Sequence, residues 1–137
     1  MASNTASVKR LLKAYTKGNF DAFAEVAAPK LRWRQNAPTG YFGFARERNS
    51  VTGVKSALRE LNAEYEFPRW DAVEFTEQGN VVWVLVKGVA RRRKSKSKHR
   101  FELAQRWEFR RGKIVRYAEF LDTASLLIAE RRIAAKG

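Results

Sequence analysis

The sequence predicts a single α+β domain over residues 1–137, in which helices pack against one face of a curved antiparallel sheet. The first observation is size, because 137 residues of which 45% are apolar can bury one core. The second is a change of period, from helical spacing in the first half to strand alternation in the second. The third is a pair of tight-turn signals, at 78–80 and 111–112, which divide the second half into a meander.

The first half of the chain predicts three helices and one strand. Apolar residues of the first helix recur at i, i+3, i+4 and i+7, namely Val8, Leu11, Leu12 and Tyr15. Gly18 suits the end of this helix, and a short second helix carries Phe20 and Phe23. Residues 31–36 alternate as a first strand, and apolar spacing over 51–61 predicts the third helix.

The second half predicts four antiparallel strands and a final helix. Their expected ranges are 65–76, 81–92, 100–110, 113–121 and about 122–135. A curved sheet of this kind leaves a pocket between its concave face and the helices that cover it.

Composition excludes several kinds of chemistry. The chain has no Cys, which removes disulfides and thiolate sites, and a single His, His99, which removes multi-histidine metal sites. No metal or organic cofactor is implied. No apolar run follows the start of the chain, so we expect no signal peptide or membrane span and a cytoplasmic location.

The net charge of +14 is concentrated in one segment, residues 87–100, which we call the basic hairpin. It holds eight of the 28 basic residues and no acidic residue. Such a segment can bind a nucleic acid or an acidic partner. It can equally be a solvated hairpin tip whose charge discourages edge pairing, and the lack of interleaved aromatic residues favours this second interpretation.

Two carboxylates follow each other at the end of the last predicted strand. Glu119 lies on a strand face with Tyr117, whereas Asp122 lies where the strand ends and the final helix begins. Glu119 is the candidate general base, because an apolar pocket would raise its pKa towards neutrality. A salt bridge would instead hold it charged. Asp122 suits a helix N-cap and is also a candidate catalytic residue.

The segment that contains these acids resembles a known family. Residues 109–124 read Phe-Arg-Arg-Gly-Lys-Ile-Val-Arg-Tyr-Ala-Glu-Phe-Leu-Asp-Thr-Ala, with supporting matches at 18–21, Trp33 and 53–54. The chain is similar to the SnoaL-like, ketosteroid-isomerase-related family of the nuclear transport factor 2-like fold. The resemblance implies a cone-shaped fold, a small-molecule ligand and a homodimer formed through the outer face of the sheet.

The resemblance also implies roles for individual residues. In the related limonene epoxide hydrolases a strand-end acid activates water, and Glu119 matches it, while Asn36 matches an amide that helps to hold the water. Arg34 replaces a tyrosine of that set. The acid pair of the long strand falls at Leu85 and Lys87, so it is missing here.

A comparison with ketosteroid isomerases is likewise partial. Their base lies at the end of the first strand, where this chain offers only Gln35 and Asn36. Their oxyanion-hole aspartate aligns near Gln105. The known catalytic sets are therefore present only in part.

These considerations predict a site built around Glu119 and Asp122 as catalytic residues. Strand alternation alone does not decide which face of the long strand is concave, and the resemblance selects the face with Trp83 and Lys87. The predicted ligand-binding residues are Asn36, Lys87, Gln105, Trp33, Trp83, Trp107, Tyr117 and Tyr15.

The expected function is that of a small-molecule enzyme of isomerase, cyclase or hydratase type, with an apolar oxygenated ligand. Glu119 would move a proton, while Gln105 and Asn36 would hydrogen-bond the oxygen that gains charge. The first alternative is a non-catalytic module that uses the same pocket to bind a ligand or a protein, since the fold does not determine activity. The second is a polyanion binder that acts through the basic hairpin.

Overall fold

The computed structural model describes residues 3–134 of the chain. Within these described residues there are four helices and five strands, with one 3₁₀ turn at Gly43–Ala45. In chain order they are α1 (Asn4–Thr16), α2 (Ala22–Val26), β1 (Ala27–Asn36), α3 (Val51–Glu64), β2 (Tyr65–Gln78), β3 (Val81–Arg92), β4 (Lys98–Arg110), β5 (Lys113–Leu121) and α4 (Thr123–Ala129). None of the described helices is long and apolar enough to span a bilayer.

The strands form one sheet in the order β1-β5-β4-β3-β2. β2 to β5 make the antiparallel meander that the turn signals predict, which confirms the α+β class. β1 adds to the far side of β5 in a parallel direction, a pairing that the sequence did not indicate. This pairing brings the first strand beside the last one, so both can supply residues to one site.

Bulges interrupt the register and curve the sheet. β2 is shifted against β3 on either side of Pro68, between Glu66 and Arg69, as the position of that proline in the strand leads one to expect. A second shift follows between Ala72 and Glu74. Bulges bend a strand and increase its twist, so the sheet wraps around the helices.

The core lies between the concave face of the sheet and the helices. α1 contributes Val8, Leu11 and Leu12, all buried, as the helical spacing predicts. α3 faces the same space with its own buried residues, including Val54 and Leu58. The sheet side of the core is formed by alternate residues of β3, namely Val82, Val84, Val86, Gly88 and Ala90, all of them buried.

Gly88 permits a close approach of two elements on this face. A Cβ atom at this position would lie 2.3 Å from the Arg69 carbonyl oxygen and 2.7 Å from the Phe101 ring. Both distances are far below a normal contact. The Phe101 ring can therefore lie against β3 only because residue 88 has no side chain.

A buried polar cluster closes the end of the cone next to α4. The Glu130 side chain is 0% exposed and accepts a hydrogen bond from the Tyr65 hydroxyl at 2.6 Å. Arg132 Nη1 lies 3.2 Å from the same carboxylate, and Arg92 Nε lies 3.9 Å from it. His99 Nε2 lies 4.0 Å away, and burial lowers the pKa of this histidine. The cluster fastens the end of α4 to β2, β3 and β4.

The last helix differs from its prediction. α4 ends at Ala129 instead of continuing to about residue 135, and residues 135–137 lie outside the described part of the chain. Glu130 is the C-cap residue, and Arg131 has a positive φ of 58°. The chain therefore leaves the helical conformation at the buried Glu130 cluster.

Candidate functional site

The site begins with one row of residues across the concave face. Gln35 on β1 pairs with Glu119 on β5, which pairs with Gln105 on β4, which in turn pairs with Val84 on β3. Residues paired across strands project to the same side of a sheet. The register alone thus places one carboxylate between two amides.

Gln35, Glu119 and Gln105 of this row form part of the wall of a cavity between the sheet and the helices. The cavity has a volume of about 90 Å³, measured as the space open to the centres of water molecules. Its lining is mainly apolar and aromatic, with Trp33, Phe67, Trp70, Phe101 and Trp107 among the residues that contribute. The polar groups are few, as is usual for a small-molecule site.

Glu119 is partly buried, and both of its carboxylate oxygens are engaged. Tyr117 donates its hydroxyl to Oε1 at 2.8 Å, and Gln35 donates Nε2 to Oε2 at 3.2 Å. Burial raises the pKa of Glu119 above its ordinary value, although these two hydrogen bonds oppose part of the rise. Neither donor is charged, so these contacts do not hold the acid ionised as an ion pair would. A carboxylate with a raised pKa is a stronger base than an ordinary one and is suited to accept a proton from a ligand.

The two flanking amides have defined orientations. Trp107 donates Nε1 to Gln105 Oε1 at 3.1 Å, which leaves the NH₂ end of Gln105 as the donor end, and a hydrogen bond from Gln105 to the Tyr117 hydroxyl opposes part of the rise in the pKa of Tyr117 that burial causes. Gln35 uses its NH₂ end on Glu119, and its Oε1 has no protein partner although it is buried. One amide therefore offers a donor beside the carboxylate, and the other offers an acceptor.

Tyr15 lines the cavity from α1. Its ring packs near Phe20 and Trp70, with centroids 5.4 and 5.8 Å away, and its hydroxyl accepts from Asn62 Nδ2 at 3.4 Å. Burial raises the pKa of Tyr15 to about 12, a rise to which the charge of Glu119 adds. The phenol is thus neutral at physiological pH and can act as a hydrogen-bond donor.

The structure corrects the predicted face of β3. Trp83 and Lys87 project from the outer face of the sheet, where Trp83 is 40% exposed, and neither lines the cavity. The inner positions opposite Gln105 and Leu103 are Val84 and Val86. The wholly apolar set faces the core, because burying Lys87 without a partner would be costly. The residues of β3 that face the core therefore also lack the acid pair of the limonene epoxide hydrolases.

Asn36 also lies outside the main cavity. It pairs in register with Phe120 on the outer face, and its Nδ2 donates to the backbone carbonyl oxygen of Glu119 at 2.7 Å. The amide that reaches the carboxylate is Gln35, one residue earlier. Asn36 therefore fixes the backbone beneath Glu119.

Trp33, Trp107 and Tyr117 form an aromatic layer around the carboxylate. Trp33 and Trp107 line the cavity, whereas Tyr117 is buried behind it and stacks on Trp33 with a centroid distance of 4.0 Å. Tyr117 thus contacts Glu119 without forming part of the cavity wall.

Asp122 caps α4. The backbone N–H of Ser125 donates to Oδ1 at 3.1 Å, and the Ser125 hydroxyl donates to Oδ2 at 2.5 Å. Hydrogen bonds from the Ser125 hydroxyl and then from its N–H hold the pKa of Asp122 below its ordinary value. Asp122 is exposed and does not line the cavity, so the capping interpretation agrees with its position.

Part of the charge of the basic hairpin is used inside the molecule. Arg91 and Arg93 pair with Glu66 at 3.0 and 3.5 Å, and Arg92 lies 3.6 Å from Glu64. These contacts tie the hairpin to β2 and to the end of α3. The lysines at 94, 96 and 98 remain exposed at its tip.

Within residues 3–134, no three His, Cys, Asp or Glu side chains are arranged to hold a metal ion. Of the residues that line the cavity in the described part of the chain, Glu119 is the one acidic residue, and none is Lys, Arg or His.

Sequence reasoning missed Gln35, Trp70, Phe67 and Phe101 as site residues. Gln35 could have been predicted, because it lies two residues after Trp33 and therefore on the same face of β1. Phe67 and Trp70 lie in β2 on either side of Pro68, where a bulge changes the alternation. No local signal in the sequence gives the side to which their rings point.

The comparison with known proteins agrees with the fold described above. The family model described as the SnoaL-like domain matches residues 8–117. No functionally curated protein matches the chain.

Several solved structures have the same fold. An NTF2-like protein of unknown function from Burkholderia pseudomallei superposes with a TM-score of 0.85 over 98% of this chain and 100% of its own, at 21% identity. A protein from Rhodopseudomonas palustris, provisionally assigned as an isomerase, gives 0.81 over 97% and 99% at 14% identity. A protein from a Jannaschia species, provisionally assigned as a SnoaL-like polyketide cyclase, gives 0.74 over 98% and 93% at 18% identity.

At these identities the likeness concerns the fold and not the activity. The match to the family model runs from Val8 in α1 to Tyr117 in β5, and it includes most of the elements that build the cavity. The chain therefore belongs to the SnoaL-like domain family and has the nuclear transport factor 2-like fold.

Proposed function

We propose that the protein is an acid–base enzyme that acts on an apolar, oxygenated small molecule bound in the cavity. The observation that carries the proposal is the state of Glu119, a carboxyl group with a raised pKa, held by uncharged donors at the wall of an aromatic cavity. Acids with perturbed pKa values in clefts are frequent at catalytic sites. The reaction class is isomerisation, aldol-type cyclisation or hydration, each of which requires proton transfer.

In the proposed mechanism Glu119 removes a proton from a carbon atom next to a ligand carbonyl. Negative charge then develops on the carbonyl oxygen, and the NH₂ group of Gln105, oriented by Trp107, donates to it. Protonated Glu119 returns the proton at another carbon atom or to a leaving oxygen. The aromatic walls exclude water, which strengthens both interactions.

The base can be tested without knowing the natural ligand. 5-Nitrobenzisoxazole is an uncharged bicyclic molecule whose C3 proton a carboxylate can remove; the electron pair forms a nitrile, the N–O bond breaks and a coloured phenolate appears. We expect the protein to accelerate this reaction and Glu119→Gln to lower the rate by about 100-fold or more, the usual contribution of a general base. Because the pKa of Glu119 is raised, the rate should increase with pH as the acid ionises.

Glu102→Gln is the matched control, since Glu102 is exposed on the outer face of β4, where it pairs with Lys87. It removes a carboxylate from the same sheet without touching the cavity and should leave the rate unchanged. Equal rates for the native protein and Glu119→Gln would rule out Glu119 as the base.

One observation favours a non-catalytic binding module as the second candidate. The inner face of β3 presents Val84 and Val86, so it offers no acid to work with Glu119. A binding module would take up uncharged aromatic ligands and quench the fluorescence of the cavity tryptophans, yet it would accelerate no proton transfer that depends on Glu119.

A further inference from the structure

Four residues of β4 and β5 form a two-by-two block around the carboxylate. Gln105 pairs with Glu119, and Trp107 pairs with Tyr117, at neighbouring positions of one face of the antiparallel ladder. Residues that are paired across two strands, or that lie two positions apart along one strand, project to the same side of a sheet. All four side chains therefore point to the concave side, and each lies next to the other three.

The hydrogen bonds within this block run in one direction. An indole N–H can only donate, so the end of Gln105 that lies 3.1 Å from Trp107 Nε1 is its oxygen, and the NH₂ end remains as the donor. Gln105 donates across the block to the Tyr117 hydroxyl. The hydroxyl proton of Tyr117 then points to Glu119 Oε1, 2.8 Å away. The chain thus starts at an indole of the cavity wall and ends on the carboxylate.

The direction of this chain matters for the base. Hydrogen bonds in series polarise one another, and a buried hydrogen bond that ends on a charged group is stronger than one between neutral groups. The bond from Tyr117 favours the ionised form of Glu119, so it opposes the rise in pKa that burial causes. An amide NH₂ group has two hydrogens, so Gln105 can use one in the chain and offer the other to a ligand oxygen.

We propose that Trp107 is a positioning residue for Glu119, which sets the strength of the base through Gln105 and Tyr117. Its N–H fixes the orientation of the Gln105 amide. Without that N–H the amide can turn and present its oxygen to Tyr117, whose hydroxyl proton is then shared between two acceptors. The inference rests on the proposed function, since it assumes that Glu119 is the base, and it adds the residue that regulates this base.

The other titratable groups around Glu119 are phenols. Tyr15 of α1 and Tyr65 of β2 line the same cavity, and Tyr117 lies behind its wall. Burial raises the pKa of all three phenols, that of Tyr15 to about 12. No other residue of the described lining is titratable. A pH-dependent change of the site near neutral pH can therefore be assigned to Glu119.

The rate of proton removal from 5-nitrobenzisoxazole, measured as a function of pH, tests the proposal. Tyr117→Phe removes the last donor and should move the midpoint of the curve upward by about one pH unit or more, the effect of one hydrogen bond to a charged group. Trp107→Phe keeps an aromatic ring and should move the midpoint in the same direction by less. In the double variant the change at Trp107 should add nothing, because its effect passes through Tyr117.

Trp33→Phe is the matched control for the loss of an indole N–H. Trp33 lines the same cavity, and its ring centroid lies 4.0 Å from that of Tyr117, compared with 4.4 Å for Trp107. Its N–H has no hydrogen-bond partner among the described residues. The same atoms are thus removed from the same wall without breaking the chain. The midpoint should stay at its native value even if the rate itself changes.

A measurement on the native protein does not depend on a substitution in the core. The indole proton resonance of Trp107 should shift with pH at the midpoint of Glu119, because the chain transmits the change of charge. The shift should disappear in Glu119→Gln, and the resonance of Trp83 on the outer face should not follow this midpoint. The carboxyl carbon resonance of Glu119 gives the midpoint without any turnover.

Three results would each overturn the proposal. They are a native midpoint in Trp107→Phe, an equal shift in Trp33→Phe, and an indole resonance of Trp107 that ignores the ionisation of Glu119. A Glu119-dependent rate with any of these results would leave the proposed function in place. If Trp107→Phe moves the midpoint of the carboxyl carbon resonance while Glu119→Gln has the native rate, the positioning role is supported and the proposed function fails.

Discussion

At the scale of single residues, the environment of Glu119 decides its properties. Tyr117 and Gln35 hold its two oxygens, and burial shifts its pKa upward. A carboxylate with the pKa raised in the folded protein contributes stability below its unfolded pKa, and this contribution is lost as the pH rises through the folded value. Keeping Glu119 ionised at neutral or alkaline pH therefore destabilises the fold, a usual feature of catalytic groups.

Glu119→Gln should accordingly make the protein more stable at alkaline pH. The amide has a similar shape and no charge to desolvate, so its melting temperature should exceed that of the native protein at pH 8, and the difference should disappear at pH 4. Thermal unfolding followed by circular dichroism at several pH values measures this. A difference that is constant with pH would show that titration of Glu119 is not its cause.

Asp122→Asn is a control for which we expect the opposite dependence of stability on pH. The pKa of Asp122 is lowered by its hydrogen bonds from Ser125, so the stability it contributes is present above its unfolded pKa and is lost as the pH falls through the folded value. This variant should be less stable than the native protein at neutral pH and equal to it at low pH.

The sequence predicts the orientation of those site residues whose direction depends only on alternation within one strand. Gln105 and Trp107 project from the concave face because they lie on one side of β4 with Phe101 and Leu103. Gln35 was missed although alternation places it on one face of β1 with Trp33. Its contact with Glu119 was not predictable, because that contact depends on the register between β1 and β5. That register is a tertiary property, which no short segment of sequence contains.

At the scale of elements, the pairing of β2 with β3 determines the shape of the cavity. Trp70 pairs with Gly88, and Gly88 pairs with Phe101 on the other side. The missing side chain at 88 lets the Phe101 ring lie against β3, where it contacts Trp70 and Phe67. This arrangement forms the end of the cavity far from Glu119.

Gly88→Ala should therefore be destabilising and should alter the cavity. The new methyl group would meet the Arg69 carbonyl oxygen and the Phe101 ring, and relief of the overlap should lower the free energy of unfolding by about 1–3 kcal/mol. Urea denaturation measures the change. Gly40→Ala is the control, because no atom lies within 4 Å of its built Cβ, and its effect should stay within about 0.5 kcal/mol. Equal stability of the two variants would contradict the close approach.

The order of elements was predictable because each has its own local pattern, such as the stripe of α1 or the turn at 111–112. The sequence did not predict which face of β3 lines the core. Both faces contain large apolar residues, and the choice depends on which face the helices cover. The length of α4 was overestimated because its end depends on the burial of Glu130, a tertiary interaction.

At the scale of the whole molecule, the outer face of the sheet remains uncovered. Trp83 and Phe120 are 40% and 45% exposed there, with ring centroids 6.0 Å apart. On the same face, Leu85 of β3 pairs with Ala104 of β4. Exposed apolar patches of this kind frequently mark protein interfaces, in agreement with the homodimer that the family resemblance implies.

We expect the protein to be a dimer through this face. Phe120→Asp should convert it to a monomer that keeps its circular dichroism spectrum, because a charge at the centre of an apolar interface is unfavourable. Light scattering coupled to size-exclusion chromatography gives the mass. Ile128→Asp, at an exposed apolar position of α4, should leave the dimer intact. A native protein that is monomeric at high concentration would exclude this interface.

The hydrogen bond between Gln35 and Glu119 joins residues separated by 84 positions in the chain. A ribosome completes β1 early, yet this strand has no neighbour in the sheet until β5 has emerged. Contacts of such long separation are among the slowest to form, so the meander can assemble while the carboxylate still lacks its amide partner. A partly folded chain will therefore lack the contact between Gln35 and Glu119. Recovery of the proposed Glu119-dependent proton transfer after denaturation should report completion of the whole sheet rather than formation of its central strands.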